Sequence, residues 1–193
     1  MVRLTELLAA GCLVAGTGAS WAQDGADWHL TGEFLNLELP GEFAIAVDEA
    51  DDALAFRAYQ VFEPGTDTVL MVVTRVVFAE RSPVQHDTDE AYIAAFIEGA
   101  RQGNCAEPEV IEHVRQDISG HEGNSILAYC AEPSDGTPPA FVVGTTLETD
   151  TRSHALATTI PADNRDVLEE YLRLLEGIHL CRIDEVGGPC IEQ

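Results

Sequence analysis

The chain is a strongly acidic protein of moderate size. It has 193 residues, with 34 acidic and 10 basic side chains, and its formal net charge is −24 at pH 7. A surface of this charge repels phosphate groups, which argues against nucleic acids and anionic lipid surfaces as partners. Hydrophobic residues make up 46% of the chain, and this length and composition fit one soluble globular domain.

Residues 1–22 have the features of a secretory signal peptide. Arg3 supplies a positive charge, residues 7–14 are largely apolar, and small residues precede an expected cleavage before Gln23. We therefore predict a periplasmic or secreted protein whose mature domain spans residues 23–193 and contains no transmembrane segment. The alternative is a lipoprotein signal, in which Cys12 would carry the lipid.

The first half of the mature chain has the alternation of β-strands. Apolar residues alternate with polar ones or run continuously in four segments, which predict strands at 34–39, 43–47, 54–62 and 69–79. The acidic run 48–52 predicts a solvated turn. The segment 69–79 is nearly all apolar, which is typical of a central strand covered on both faces.

A helix follows these strands. Asp87 is a suitable N-cap, with Glu90 as its capping-box partner, and apolar residues recur at helical spacing up to Gly103, which is a suitable C-terminal cap.

Strands and a second helix fill the rest of the chain. Alternation and turn residues predict strands at 109–118, 124–131, 140–148 and 153–160. The first two of these strands are joined by a turn between Gly120 and Gly123. A helix capped by Asp163 follows and extends to Ile178, and the tail 181–190 is predicted to be a loop. This order predicts an α+β fold, in which one antiparallel sheet of about six to eight strands packs against two principal helices.

Four cysteines remain after the signal peptide, and we expect them to form two structural disulfides. Four cysteines permit three connectivities, and the sequence does not choose among them. A local bond between Cys181 and Cys190 would order the Gly-rich tail, and this bond would leave Cys105 to pair with Cys130. No C-x-x-C motif is present, so a redox or zinc site is disfavoured.

Histidines and acidic runs are the candidate catalytic or metal-binding residues. The segment 86–90 combines His86 with three carboxylates, Asp87, Asp89 and Glu90, but an acidic helix start explains the same residues. The run 48–52 lacks the pattern of an EF-hand calcium loop. His113 and His121 flank a predicted turn and could form a general acid–base pair with a neighbouring carboxylate, Glu112 or Asp117.

The order of elements resembles that of the Mog1/PsbP-like family. The resemblance is carried by the opening segment LNLELPG at 35–41, the mid-chain helix at 87–102, the hairpins that follow and the closing helix at 163–178. It implies an α/β/α sandwich and a non-enzymatic binding or assembly role. It also implies that the strand at 69–79 lies centrally between the two helices. No functional residue is carried over from the family.

We therefore expect a non-catalytic exported domain that binds a partner protein or a small ligand and needs no cofactor or metal. The alternative is a hydrolase or metal-dependent enzyme with an acidic cleft around His86, His113 or His121. A third hypothesis explains the acidity as cation buffering or adaptation of a structural protein to salt.

Overall fold

The structure is a computed structural model of the chain. It describes residues 32–37, 44–51, 56–63, 65–66, 68–77, 88–103, 105–134, 136–150, 152–183 and 191–192. The predicted signal peptide, Cys12, His86 and Cys190 lie outside these residues.

The described residues contain ten strands and two α-helices. The strands are β1 (Gly32–Asn36), β2 (Ala44–Asp51), β3 (Phe56–Phe62), β4 (Val69–Val77), β5 (Pro108–Ile118), β6 (His121–Cys130), β7 (Ala140–Glu148), β8 (Ser153–Pro161), β9 (His179–Ile183) and β10 (Ile191–Glu192). The helices are α1 (Asp89–Gln102) and α2 (Arg165–Leu175).

Seven of the strands form one antiparallel sheet in the order β2-β3-β4-β8-β7-β6-β5. This confirms the predicted α+β class and the predicted size of the sheet. As predicted, β4 is an interior strand, with β3 and β8 as its neighbours. The sequence did not predict a second, three-stranded sheet, in which β1 and β10 flank β9.

One face of the large sheet is covered by α2 and the small sheet. On β8, alternate residues from His154 to Ile160 are almost fully buried, whereas the residues between them are mostly half-buried. Leu156 and Ile160 belong to the same apolar cluster as Tyr171 of α2 and Leu35 of β1. Period-two alternation therefore directs one set of β8 side chains into the main core.

The opposite face is covered in part by α1. Tyr92, Phe96 and Ala100 recur every four residues, and they pack with Ile126 of β6 in a second apolar cluster. A Cβ atom on Gly144 of β7 would lie 2.8 Å from the ring of Phe96, so this glycine allows the helix to approach the sheet. Helices on both faces of the sheet produce the α/β/α layering that the resemblance implied, although α1 lies over β5 to β7 and not over β4.

A disulfide joins Cys105, just after α1, to Cys130 at the end of β6. Of the three connectivities that the sequence left open, this bond is the one that a local Cys181–Cys190 bond would leave for Cys105, and it fixes the end of the helix to the sheet. Cys181 of β9 is fully buried and is also disulfide-bonded. Its expected partner Cys190 lies outside the described residues, so that connectivity stays a prediction.

Two predicted turns were wrong. Residues 48–51 of the acidic run do not form a turn, because β2 continues to Asp51 and pairs with β3, and Asp52 lies outside the described residues. The hairpin between β5 and β6 turns at Ser119 and Gly120, both of which have positive φ, and Gly123 lies within β6. Two consecutive residues with positive φ are typical of a two-residue hairpin turn, which needs no further loop residues.

The ends of both helices also differ from prediction. Thr88, and not Asp87, is the N-cap of α1, because its hydroxyl accepts a hydrogen bond from the Ala91 amide. The N-cap of α2 is Asn164, one residue after Asp163. The second helix ends at Leu175, and residues 179–183, which include the start of the predicted loop tail, form β9. Gly103 caps the end of α1 as predicted.

Candidate functional site

His113 lies on β5 beneath the start of α1. Its Nε2 is 3.1 Å from the side-chain oxygen of Asn124, and its ring centroid lies 5.2 Å from that of Tyr92. Its Nδ1 is 4.0 Å from a carboxylate oxygen of Asp89, and only 9% of the side chain is exposed. These contacts bury His113 between the helix and the sheet.

The Tyr92 hydroxyl beside His113 is fully used in hydrogen bonds. It donates to the carbonyl oxygen of Asn124 and accepts from the hydroxyl of Thr146. Burial raises the pKa of Tyr92 to about 12, although the Thr146 hydrogen bond lowers it. The phenol therefore stays protonated at neutral pH, and its two hydrogen bonds anchor α1 to β6 and β7.

Arg115 completes this cluster at the start of the helix. Its guanidinium donates to Asp89 on the first turn of α1, at 2.5 Å, and to Glu122 of β6, at 2.6 Å. Asp89 also lies at the positive end of the helix dipole, where a carboxylate is stabilising. Asp89 thus has a structural role at the start of α1, whereas His86 and Asp87 of the candidate metal cluster lie outside the described residues.

His113 and His121 do not form the acid–base pair that the sequence allowed. His113 pairs in register with Ile126, which contacts α1, whereas His121 pairs with Ile118, which belongs to the core beneath α2. The two histidines therefore lie on opposite faces of the sheet. Of the expected carboxylate partners, Asp117 accepts a hydrogen bond from the Gly120 amide in the turn.

A buried histidine on β8 was not singled out by the sequence. His154 is 1% exposed, and its Nε2 lies 3.1 Å from a carboxylate oxygen of Glu33 on β1. Burial lowers the pKa of His154 from its ordinary value of 6.5, and Arg152 and His121 also lower it, whereas Glu33 raises it. Since desolvation is the largest cause, the imidazole is neutral at neutral pH, and its contact with Glu33 joins β1 to the large sheet.

Arg75 makes a second polar link between β1 and the large sheet. It is 2% exposed on β4, and its Nη2 donates to the side-chain oxygen of Asn36 at 3.3 Å. Its guanidinium carbon lies 5.2 Å from the ring centroid of Phe34 and 6.0 Å from that of Tyr59. Burial lowers the pKa of Arg75 to about 10, so the guanidinium stays charged. The one charged residue in the apolar segment VLMVVTRVV was the sequence signal for this link.

The outer edge of the large sheet at β5 is the most distinctive surface of the described residues. Ile111 is 53% exposed and Val114 is 43% exposed, and they are the exposed large hydrophobic residues of the described part of the chain. Both lie on β5, an edge strand of 11 residues. We call Glu109, Ile111, Glu112 and Val114 the β5 edge surface.

No group of three or more His, Cys, Asp or Glu side chains in the described ranges is placed to hold a metal ion. None of the helices described is long and apolar enough to cross a membrane.

Comparison with solved structures supports the fold. The chain is similar to the solution structure of cyanobacterial PsbP (CyanoP) from Synechocystis sp. PCC 6803, with a TM-score of 0.53, 9% identity and coverage of 81% of this chain and 96% of that chain. This likeness supports the Mog1/PsbP-like resemblance at the level of the fold.

Two further structures match at lower scores. LpqN, which is involved in cell envelope biogenesis of Mycobacterium tuberculosis, matches with a TM-score of 0.49, 9% identity and coverage of 78% of this chain and 84% of that chain. The protein of unknown function PA94 from Pseudomonas aeruginosa matches with a TM-score of 0.44, 13% identity and coverage of 74% and 94%. No family model and no curated protein matches the chain.

Proposed function

We propose that this chain is a non-catalytic exported domain, periplasmic or secreted, that binds a partner protein through the β5 edge surface. The observation that carries the proposal is the position of Ile111 and Val114. Both exposed large hydrophobic residues of the described chain lie on one edge strand. Exposed apolar side chains grouped on one element mark interaction sites more often than scattered ones do.

The contacts of the two histidine clusters are structural, which favours a binding role over a catalytic one. His113 is packed against Tyr92 and hydrogen-bonded to Asn124, and His154 is buried against Glu33. In each cluster the described contacts connect two elements of the fold, which is what structural polar residues do. Neither cluster places a nucleophile beside a base in the manner of a hydrolase.

Export is proposed on two grounds. Residues 1–22 have the composition of a secretory signal, and the domain contains a disulfide between Cys105 and Cys130. Structural disulfides form and persist mainly in oxidising compartments outside the cytoplasm. Fractionation of the source cells tests this part. We expect a mature chain that begins at Gln23, with Cys105 and Cys130 oxidised, and a cytoplasmic chain with reduced thiols would contradict export.

Site-specific photo-crosslinking tests the binding role. A photoreactive amino acid at Val114 should form an adduct with one partner in living cells, and the same amino acid at Glu169, an exposed residue of α2, serves as the control. The partner identified from the adduct, once purified, should bind the wild-type chain and bind the Val114→Arg variant more weakly. Equal adducts at both positions, or equal binding by the variant, would count against the proposal.

A further inference from the structure

The outer side of β5 offers backbone hydrogen-bonding groups to another strand. In an antiparallel pair, alternate residues direct their N–H and C=O groups away from the partner. Within the described part of the chain, β5 pairs with β6 alone, so its outer groups face no other described strand. The register shifts between Val110 and Glu112, and from Glu112 to Ile118 the pairing is regular. This regular stretch is long enough to template an added strand.

The side chains of this stretch suit an extended segment that places a basic and an apolar side chain on the same face. Glu112 and Val114 lie on the same face of β5, two residues apart, since they pair with Leu127 and Ser125 of β6. Side chains of an added strand would lie beside these residues, within reach of cross-strand contact. Val114 would then be covered by an apolar neighbour, and the exposed Ile111 at the register shift would be covered at one end.

The charge of the edge determines the kind of strand that fits. Glu109, Glu112 and Asp117 are exposed acids on β5, whereas the positive charge of Arg115 is already shared between Asp89 and Glu122. A second copy of the chain would add a strand that carries the same acids, and each copy has a formal net charge of −24. Like charges placed opposite each other destabilise strand pairing, so self-association at this edge is disfavoured.

We infer that β5 binds an extended, basic segment of a partner protein by strand addition, with Arg or Lys side chains beside Glu109, Glu112 and Asp117 and an apolar side chain over Val114. In this mode the main-chain hydrogen bonds supply affinity and the side chains supply specificity. The inference rests on the proposed function, because it names the surface chemistry of the same partner.

The test uses the full chain, purified after export, and synthetic peptides as probes. A peptide with arginines beside Glu112 and Asp117, a valine beside Val114 and serine at the other positions matches both faces of β5, and it should bind and slow amide hydrogen exchange in β5 between Glu112 and Ile118. The matched control is the same peptide with N-methylated amides on one edge, which keeps its charge but removes its hydrogen-bond donors. We expect this control to bind at least about tenfold more weakly, and the same peptide with glutamate in place of each arginine not to bind.

A charge reversal on the protein provides the second arm. Glu112→Arg should weaken binding of the basic peptide by about threefold to tenfold, which is the range of one or two exposed ion pairs. Glu169→Arg on α2 makes the same change in net charge and should leave the affinity unaltered. Equal weakening by both variants would show attraction by net charge alone and would overturn the inference.

Three other results would also overturn strand addition. These are equal binding of the N-methylated peptide, slowed exchange at sites other than β5, and a dimer of the chain whose β5 amides are protected. The photo-crosslink at Val114 separates this inference from the proposed function. If the crosslink forms but the basic peptide does not bind, the edge binds a partner of other chemistry, and only the strand-addition inference fails.

Discussion

Arg75 of β4 buries its guanidinium between the large sheet and β1, where a charged group needs close partners. It is held by the side chain of Asn36 and by the faces of Phe34 and Tyr59. Such an arginine contributes both charge contacts and the packing of its long stem. Its burial indicates that the link between β1 and β4 contributes to stability.

We predict that Arg75→Ala lowers the free energy of unfolding by about 3 kcal/mol, because it removes buried contacts and leaves a cavity. Arg173→Ala is the control, since Arg173 is an exposed residue of α2 that is paired with Glu170. The control should cost less than about 0.5 kcal/mol. Urea denaturation measures both values, and equal costs would contradict a structural role for the buried guanidinium.

The lowered pKa of His154 predicts a specific dependence of stability on pH. The unfolded chain takes up a proton on this histidine near the ordinary pKa of 6.5, whereas the folded chain resists protonation until a lower pH. Protonation therefore favours the unfolded state, and stability should fall as the pH drops below 6.5. The groups that act on the imidazole are Glu33, which favours its protonation, and Arg152 and His121, which oppose it.

His154→Gln should remove part of this acid sensitivity. The difference in unfolding free energy between wild type and variant should shrink as the pH falls below 6.5, in urea titrations at a series of pH values. His113→Gln, which changes a histidine on the opposite face, is the comparison. If the difference in unfolding free energy between wild type and His154→Gln stays constant across the pH series, His154 is not the group responsible.

The sequence indicated some of the buried polar residues, but it did not indicate their partners. The isolated arginine in the apolar segment of β4 was visible as an exception to the pattern. Its partner Asn36 was not visible, and neither was the contact between Glu33 and His154, which spans 121 positions of the chain. Periodicity reports the local environment of a residue, and it contains no information about which distant residue will face it.

At the scale of elements, the packing of α1 depends on one missing side chain. Gly144 of β7 is buried opposite Phe96 of α1, and an added Cβ would lie 2.8 Å from the phenyl ring. We predict that Gly144→Ala lowers the free energy of unfolding by about 1–3 kcal/mol, because the ring and the helix must shift. The control is Gly177→Ala after α2, where the nearest atom would be an ordinary 3.5 Å away.

Thermal and urea denaturation of both variants check this prediction. The Gly177→Ala control should stay within about 0.5 kcal/mol of wild type. If Gly144→Ala were equally mild, α1 would pack on the sheet less closely than the structure shows.

The kinds of element were predictable because apolar periodicity is a local signal. The segments of β4, β5, β7 and α1 agree with prediction to within two residues. The N-caps of the two helices differ from prediction by one residue. Asp87 and Asp163 are each followed by another good cap, Thr88 or Asn164. The short strand β9 was missed because its strand character comes from pairing with β1, which lies far away in the chain.

At the scale of the whole molecule, the order of strands could not be read from the sequence. The sheet places β8 beside β4, and the residues between these strands contribute the other half of the same sheet. This order leaves β5 at an edge, although its sequence alone does not distinguish an edge strand from an interior one. The β5 edge surface could therefore not be predicted from the sequence, whereas the acidity of the chain and the structural role of its cysteines could.

The proposed binding role requires the outer edge of β5 to be open, and amide hydrogen exchange of the isolated full chain measures this. Between Glu112 and Ile118, alternate amides should exchange rapidly, because half of them point away from β6. The amides between them should be protected, as should those of the interior strand β7. Uniform protection of every amide in this stretch would show that the edge is already covered and would rule out binding of a partner strand there.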